Sequence, residues 1–477
     1  MITIAQARLG IHDPHDCTDA SDELTILHAI YDTLVRRVGQ DFVPHLARRW
    51  DVSQDAVAWT FHLQPDVIFH DGMPCDATAV AASLARMARE DRGYTLGAPA
   101  VWRQFLGGAD LEVVDPLTLR VTLAAPMADL LDVLEQGFIV APSVFDALDA
   151  KDYSVQCGTG PYRLVSISTD EITVTRLEDH FAGTPSNRDI TWWLVPNAAD
   201  RLTLLQKGSV QIANGLGYEA SRALGNMRHT FLSPVAIIYL LNAAKGPLCD
   251  PRVRRALSLA VDREALVETV MHGAAQPLRG FVSPNHFGAG QGGCDRMDRD
   301  LARELLTQAG HGGGLTLEVD CPTRLPDEAE RLTAALAAQL ADMGITLNVH
   351  IHPEREDYAH MVRRKDVQDM CVFDSSPMST YRVLYEKIDS RVAGSWWQGY
   401  ANPRIEALID RGRLTTDRAA RASIWRDAYA LLQDDPAWLT LYNPIRVIGL
   451  AGSHPDFAMP ADGVIDVARF PAFEAIQ

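Results

Sequence analysis

Alternating apolar and polar residues predict the first strands of the chain. The segment ITIAQARL at residues 2–9 predicts a strand, and AWTFHL at 58–63 alternates with a period of two, as a strand with one buried face does. In LEVVDPLTLRVTL, two alternating runs flank the turn pair Asp115-Pro116 and predict a hairpin. Two further strands are predicted in EITVTRLED and DITWWLVP.

Helical spacing of apolar residues predicts helices between these strands. Four such residues recur at intervals of three or four: Leu27, Ile30, Leu34 and Val38. They predict a helix over residues 24–38. The next helix is predicted over 76–90 with Asp76 as its N-cap. A third, in NAADRLTLLQKG, is predicted to end at Gly208, where a left-handed cap costs little.

The second half of the chain has the clearer pattern. Residues 251–273 form a long amphipathic segment. The segments LTLEVDC, DEAERLTAALAAQLADMG and ITLNVHI predict a strand, a helix and a strand, with Asp327 as N-cap and Gly344 just past the helix end. This order favours a right-handed crossover between parallel strands. A last helix is predicted over 418–433, capped by Asp417, before the strand WLTLY.

The length and the net charge of the chain limit the classes of protein to which it can belong. A chain of 477 residues in which strands and helices alternate predicts an α/β protein of about two to four domains. With 44 Lys and Arg against 62 Asp and Glu, the net charge of −18 repels phosphate backbones, so we expect no nucleic-acid partner. No window of 18 apolar residues is present to span a bilayer. The seven cysteines are scattered singly without a metal-type pairing.

Motifs that carry known chemistry are few. The sequence contains no GxSxG, HExxH, phosphate-loop or EF-hand pattern. A GxGxxG occurs at Gly288, Gly290 and Gly293, but Pro284 and His286 stand where a buried strand should precede it. We therefore predict a flexible surface loop at this motif.

Two histidine pairs raise the question of a metal. His350 and His352 share one face of a predicted strand, but no third ligand is spaced nearby, so solvated histidines are the preferred interpretation and no metal is predicted. His12 and His15 follow the first strand, where ligand-contacting loops emerge in α/β sheets. A plain surface loop remains an equal alternative there.

Several segments together resemble a known family. WTFHLQPDVIFHDGMPCDATAVAASLARM is similar to the family stretch fxLrxgvxFhDGxpxtAxDVxxSl, CGTGPYRL to its GTGPY, and LCDPRVRRALSLAVDREALVETVMHGAAQP to its DxRVRqAlxyAiDR block. With ELLTQAG, ADMGITLNVHI and the GYANPRIEALID region, six segments follow the family's order. By this resemblance the chain is identified as an extracytoplasmic solute-binding protein of ABC transporters, family 5, which takes dipeptides, oligopeptides and nickel chelates.

The resemblance implies an α/β, two-lobed periplasmic-binding-protein fold (type II, cluster C) with an additional inserted domain. Domain I would comprise residues 1–30, 157–240 and 440–477, domain II residues 31–156, and domain III residues 241–439. Ligand would lie in a cleft between domains I and III and be enclosed by hinge closure. The implied function is capture of a small peptide-like or amphipathic solute and its delivery to the membrane permease, with no enzymatic step and no cofactor.

In peptide-binding relatives, a GWxxDxxDPxxF segment supplies a carboxylate to the ligand ammonium. The corresponding stretch here, DMCVFDSSPMSTYRVLYEKI, has Phe373 in place of the Trp and lacks the second acidic residue. Asp374 is the candidate counter-ion, beside Ser375 and Ser376, and the departure argues against generic dipeptide binding. Arg382 could meet a ligand carboxylate bidentately or form an ion pair within the protein; both remain open.

An aromatic group follows this stretch. Trp396, Trp397 and Tyr400 lie in GSWWQGY. Adjacent tryptophans on a strand face opposite sides, so at most one of the two is expected at a ligand site, and packing of both is an equal alternative. An aromatic wall opposite a Ser-rich surface with one acid suits a small amphipathic ligand with an amine or amide group.

On the domain I side, the resemblance places further candidates at family positions near the cleft. They are His15, Cys17, Tyr218, Tyr239 and Asn242. We expect these residues to contribute ligand contacts, although family members differ in detail.

Other functions on the same fold stay open. One is a nickel-chelate or ligand-sensing receptor, and another is a chaperone-like receptor that presents its ligand to a partner protein. A hydrolase would need a nucleophile, a base and an oxyanion hole; Asp374 with a histidine gives at most an acid–base pair, so an enzyme is not expected.

Localisation follows from the resemblance. Relatives are exported, and Met1 directly before the first strand resembles the start of a mature chain after signal removal, so we expect a periplasmic monomer. Its partners would be a small-molecule or short-peptide ligand and the permease subunits. If the chain is exported, Cys249 and Cys294 are candidates for a disulfide, which geometry decides.

Overall fold

The computed structural model describes residues 2–93, 100–278, 280–290, 297–324, 326–375 and 377–470. The chain divides into two compact units. Unit 1 comprises Met1–Phe231 and Arg446–Gln477, and unit 2 comprises Leu232–Ile445. The division of the sequence into three domains stays a prediction.

The strands are, in chain order, β1 (Ile2–Gln6), β2 (Val35–Val38), β3 (Asp41–Pro44), β4 (Ala47–Val52), β5 (Ala58–Leu63), β6 (Asp110–Asp115), β7 (Thr118–Thr122), β8 (Tyr162–Ile167), β9 (Glu171–Arg176), β10 (Asp189–Leu194), β11 (Ile212–Asn214), β12 (Arg228–Leu232), β13 (Ala236–Leu241), β14 (Ala275–Pro277), β15 (Leu315–Pro322), β16 (Ile345–His352), β17 (Met370–Ser375) and β18 (Trp438–Leu450).

The helices are, in chain order, α1 (Ser21–Ile30), α2 (Ala77–Met87), α3 (Arg103–Leu106), α4 (Leu131–Leu134), α5 (Phe145–Asp149), α6 (Ala198–Gln206), α7 (Pro251–Ala260), α8 (Arg263–Met271), α9 (Arg299–Gln308), α10 (Ala329–Ala341), α11 (Arg355–Arg363), α12 (Thr380–Val383), α13 (Pro403–Leu414) and α14 (Arg418–Asp434). A π-helical turn, Leu384–Ile388, continues α12.

Unit 1 is built on a mixed sheet. The order of its strands is β11-β1-β10-β9-β8, with β1 parallel to β10 and β11, and the last residues of β18 pair with β11. A separate antiparallel sheet has the order β4-β5-β7-β6. Its hairpin turns at Asp115-Pro116, where the Asp115 carboxylate accepts from the N–H of Leu117 at 2.8 Å, as predicted.

Unit 2 is built on a second run of strands in the order β16-β15-β17-β13, with the first part of β18 beside β13. β15 is parallel to both β16 and β17, so the predicted strand, helix and parallel strand unit is confirmed. Apolar residues of α7, α8 and α10 pack on this sheet and form its core. Three parallel strands therefore end at one edge of unit 2, where the chain continues into loops.

Local capping explains why several helix boundaries were predicted correctly. The Asp76 carboxylate accepts from the Ala79 N–H at 2.9 Å, and that of Asp417 from the Ala420 N–H at 2.7 Å. Gly208 and Gly344 both adopt positive φ, at 71° and 74°. These signals are carried by one or two residues and need no tertiary context.

Two predicted helices differ from the structure. The helix predicted over 24–38 ends at Ile30, and Val35–Val38 form a strand. The backbone becomes extended at Tyr31, and the buried carboxylate of Asp32 binds Thr159 and His180, so contacts from far along the chain override the helical spacing. Asp327 does not cap α10, which begins at Ala329 without a side-chain cap.

The glycine-rich motif is not a surface loop where the structure describes it. Gly288 is buried, and a Cβ there would lie 2.6 Å from the Cβ of Trp425 in α14. A Cβ on Gly290 would lie 2.7 Å from Tyr429 of the same helix. The glycines allow the chain to pack closely on α14, so the prediction of a flexible loop was wrong here. Gly293 lies outside the described residues.

Candidate functional site

Asp374 lies near the carboxyl end of β17, at the edge where the parallel strands of unit 2 end. Its side chain is 31% exposed. The strand holds it in register opposite Ile237 of β13. In open α/β sheets ligands bind outside the carboxyl ends of the strands, so this carboxylate has the position that a ligand-binding group requires.

Phe373, the residue before Asp374 in β17, belongs to a group of packed aromatic rings. The ring of Phe373 packs against Trp396 with centroids 4.8 Å apart and stacks on Tyr358 at 6.3 Å. All three rings are buried. Trp396, a predicted site residue, thus packs against Phe373, which precedes Asp374 in β17.

Arg355, the first residue of α11, also belongs to this group and was not predicted. Its guanidinium carbon lies 4.9 Å from the centroid of the Phe373 ring. Its Nη2 atom lies 3.9 Å from Oδ1 of Asp374, the outer limit of an ion pair. Within the described residues, its buried Nε and Nη1 atoms have no hydrogen-bond partner. A sequence signal for Arg355 does exist, because this arginine follows the end of β16 by three residues. β16 lies beside β15, so a residue just past its end lies at the edge where the parallel strands of unit 2 end.

Ser375 and Arg382 bind other groups of the protein. The ammonium of Lys387 donates to the Ser375 hydroxyl at 3.1 Å, and both residues are buried. Nε of Arg382 donates to Glu386 at 3.0 Å in a buried pair one helical turn apart. Of the two alternatives for Arg382, the structure contains the ion pair. Ser376 lies outside the described residues.

The segment GSWWQGY is not a strand. Trp397 lies in a turn, where its N–H bonds to the carbonyl of Gly394, so the premise that the two tryptophans face opposite sides of a strand was wrong. The indole N–H of Trp397 donates to the Tyr400 carbonyl at 2.6 Å. The Tyr400 hydroxyl donates to the carbonyl of Asp435 at 3.1 Å. These bonds hold the loop that presents Trp396.

Tyr239 and Asn242 belong to unit 2, whereas the resemblance placed them with the candidates of domain I. Tyr239 lies in the unit 2 core, where its hydroxyl is 2.8 Å from that of Thr333 and burial raises its pKa. The amide of Asn242 donates to the carbonyls of Val367 and Gln368 at 3.1 and 2.9 Å. In this structure both side chains hydrogen-bond to protein groups other than Asp374.

His15 lies in a buried polar network of unit 1. The guanidinium of Arg86 has only donors, so at 2.8 Å Nδ1 of His15 must accept from it. The Nε2–H of His15 therefore donates to the carbonyl of Phe138 at 3.1 Å. Arg86 also donates to both oxygens of Asp13 at 2.8 and 2.5 Å. Because Asp13 and His15 are fully buried, the alternative of a plain surface loop does not hold for them.

Burial governs the ionisation of this network. It lowers the pKa of His15 to about 4, and Asp13 opposes this effect only in part. His15 is therefore neutral at pH 7.

The other two candidates in unit 1, Cys17 and Tyr218, differ in exposure. Cys17 is buried, whereas the ring of Tyr218 is half-buried and has the guanidinium carbon of Arg228 4.7 Å from its centroid.

The second histidine pair is engaged by acidic residues. Nε2 of His350 is 2.6 Å from Glu318, and Nε2 of His352 is 2.8 Å from Asp320, both on the parallel neighbour β15. In the part of the chain that the structure describes, no group of three or more His, Cys, Asp or Glu side chains could hold a metal ion. Across the same residues, no helix has the length and apolar character needed to cross a bilayer.

Comparison with known proteins supports the resemblance found in the sequence. Residues 41–382 match the family model of bacterial extracellular solute-binding proteins, family 5. The chain is similar to the glutathione-binding protein GsiB of Pectobacterium atrosepticum, with 27% identity over 453 residues that cover 90% of this chain and 85% of that protein.

Solved structures of binding proteins have a fold similar to that of this chain. The ABC transporter substrate-binding protein CtaP of Listeria monocytogenes is similar with a TM-score of 0.82 and 19% identity over 98% of each chain. The periplasmic binding protein DppA of Helicobacter pylori, solved with the peptide STSA, is similar with a TM-score of 0.78 and 22% identity, covering 98% of this chain and 96% of that one. The predicted two-lobed α/β fold is thus confirmed.

Proposed function

Because the chain belongs to family 5 of the bacterial extracellular solute-binding proteins and serves as an ABC importer receptor for peptide-like solutes, we propose that it binds a short peptide or amino-acid conjugate through the ligand's ammonium group. The observation that carries this proposal is Asp374. It is a part-exposed carboxylate at the carboxyl end of a parallel strand. A carboxylate gives a ligand ammonium a charge-assisted hydrogen bond.

The proposal includes the place and partners of the protein. We infer that it acts in the periplasm as a monomer and delivers its ligand to permease subunits unchanged. Relatives with this fold are named as binding proteins, and one of them is named for glutathione. A ligand of peptide size with free charged ends is therefore the first class to test.

The experiment is a binding screen of ligand-stripped protein. Thermal shift with dipeptides, tripeptides, glutathione, opine-like conjugates, aromatic amides and nickel–histidine would find the class, and calorimetry would give the dissociation constant. A ligand at 100 times its dissociation constant stabilises the folded state by about 2.7 kcal/mol, enough for a clear shift. If no amine-bearing solute shifts the melting temperature, the proposal is wrong.

Asp374→Asn tests the role of the carboxylate. Loss of a hydrogen bond to a charged group costs about 1.5–3 kcal/mol, so the dissociation constant for an amine-bearing ligand should rise roughly 10- to 150-fold. Asp300→Asn is the matched control, since the side chain of this aspartate is 98% exposed on α9 of unit 2. Equal affinities of the Asp374 variant and the control would remove Asp374 from the site.

A further inference from the structure

The outer edge of β16 is exposed to solvent. The strand order of unit 2 begins with β16, so this strand has a neighbour, β15, on one side only. Val349 and Ile351 are 40% and 48% exposed, and Asn348 and His350, which point to the opposite face, are exposed as well. Within the described residues, neither a helix nor a loop covers the middle of this strand.

The ladder with β15 shows which backbone groups of β16 point outward. The carbonyl of His352 accepts from the N–H of Thr323, on the β15 side, at 3.2 Å. Because the backbone groups of a strand alternate in direction, the even-numbered residues of β16 bond to β15. The N–H and C=O groups of Leu347, Val349 and Ile351 therefore point away from the sheet, and they have no hydrogen-bond partner in the described part of the chain.

The side chains of these three outward residues are apolar. They lie in register with residues 317, 319 and 321 of β15, whose side chains are buried in the core of unit 2. A strand added outside β16 would therefore extend both the hydrogen-bonded ladder and the apolar face of the sheet.

β16 also lacks the charged residues that other terminal strands carry. β4, β6 and β8 end the strand orders of unit 1, and their sequences ARRWDV, DLEVVD and YRLVSI each contain at least one charged residue. The sequence of β16, ITLNVHIH, contains no Asp, Glu, Lys or Arg. Proteins use charges, prolines and bulges to keep an edge strand from pairing with another chain, so an edge without them is suited to such pairing.

The pattern of β16 is complementary to itself. Antiparallel pairing about a two-fold axis at Val349 sets this residue opposite Val349 of a second copy, and Leu347 opposite the second copy's Ile351. The outward N–H and C=O groups then bond in pairs, as in any antiparallel ladder. On the other face Asn348 lies opposite His350 of the second copy, so no like charges oppose each other. A contact of this kind uses the same surface on both chains and closes as a dimer.

We propose that β16 pairs with β16 of a second copy of this chain and forms a reversible homodimer. A ladder of three outward residues buries less than the roughly 1,200 Å² of stable complexes, so the dimer forms only at high protein concentration. The net charge of −18 on each chain opposes association, and salt screens this repulsion. The monomer inferred above as the acting form is then in equilibrium with the dimer.

Sedimentation of the whole chain from about 1 μM to about 1 mM tests the pairing. The weight-average mass should rise toward twice that of one chain, and should rise further in 0.5 M than in 0.05 M NaCl. Val349→Lys puts two ammonium groups opposite each other at the axis and should raise the dimer dissociation constant at least roughly 5-fold. Val165→Lys is the matched control, since this valine is 59% exposed on the terminal strand β8, and it should change the constant less than about 2-fold.

Hydrogen exchange on the natural protein locates the contact without a variant. The amides of Leu347, Val349 and Ile351 should exchange more slowly in a concentrated sample than in a dilute one, whereas those of β8 should not change. A mass that stays that of one chain up to about 1 mM would overturn the proposal. So would a dimer that tolerates Val349→Lys, or one that leaves the three amides unprotected. If Val349→Lys does not fold, the exchange result decides.

Discussion

Acidification should destabilise the protein through His15. The side chain is fully buried, and its Nδ1 atom accepts from the Arg86 guanidinium at 2.8 Å. A proton on Nδ1 would replace that acceptor by a second positive donor. The pKa of His15 is accordingly lowered by burial from 6.5 to about 4.

The direction and the size of this pH effect follow from the difference between the pKa of His15 in the folded and in the unfolded state. In the unfolded chain His15 takes up its proton below pH 6.5, whereas the folded protein does not until about pH 4. The unfolded state therefore binds more protons in this window, and the free energy of unfolding falls as the pH falls through it. Between pH 7 and pH 5 the loss from this residue is about 2 kcal/mol, and it levels off below pH 4.

Urea denaturation at pH 7, 6 and 5 would measure this loss. His15→Asn keeps an acceptor near Arg86 and does not titrate, so the variant should lose about 2 kcal/mol less than the natural protein between pH 7 and pH 5. The comparison isolates His15 because every other titrating group is common to both proteins. The same loss in the natural protein and the variant would refute the reasoning.

Two further stability predictions follow from the packing. Arg86→Met should lower the free energy of unfolding by about 3–5 kcal/mol in chemical denaturation, because it removes both close guanidinium donors of the buried Asp13 carboxylate and leaves it only Arg92, at 3.3 Å. Arg89→Gln, at an exposed end of the same network, should cost less than about 1 kcal/mol, and equal losses would contradict this reasoning. Gly288→Ala should cost about 1–3 kcal/mol, since the new Cβ meets Trp425 at 2.6 Å and the backbone has φ of 70°. Gly313→Ala, with open space around it, is the control, and a thermal melt of both that shows no difference would contradict the packing argument.

What the sequence predicted well depends on short-range chemistry. The caps at Asp76 and Asp417 each involve a carboxylate and a backbone N–H three residues later, so the signal is complete within one turn. The hairpin at Asp115-Pro116 is equally local. Family motifs spread over the chain added the fold, which local patterns alone could not give.

What the sequence missed depends on residues far apart in the chain. Val38 has helical spacing with the residues of α1, yet it lies in β2, which pairs with β3. Gly288 belongs to a GxGxxG pattern, but in the structure it allows close contact with Trp425, more than 130 residues later. Arg355 became a site candidate only when the order β16-β15-β17 placed it at the same edge as Asp374. No sequence pattern specifies that order.

The strand Trp438–Leu450 has a consequence for biosynthesis. Its first residues pair with β13 in unit 2, and Ile448–Leu450 pair with β11 in unit 1. Unit 2 is one continuous stretch of chain, so all of it is synthesised before the last strand of unit 1. Until then β11 presents an unpaired edge, the kind of surface that recruits other chains. A nascent or truncated chain that ends near Ile445 is therefore the species most in need of a chaperone.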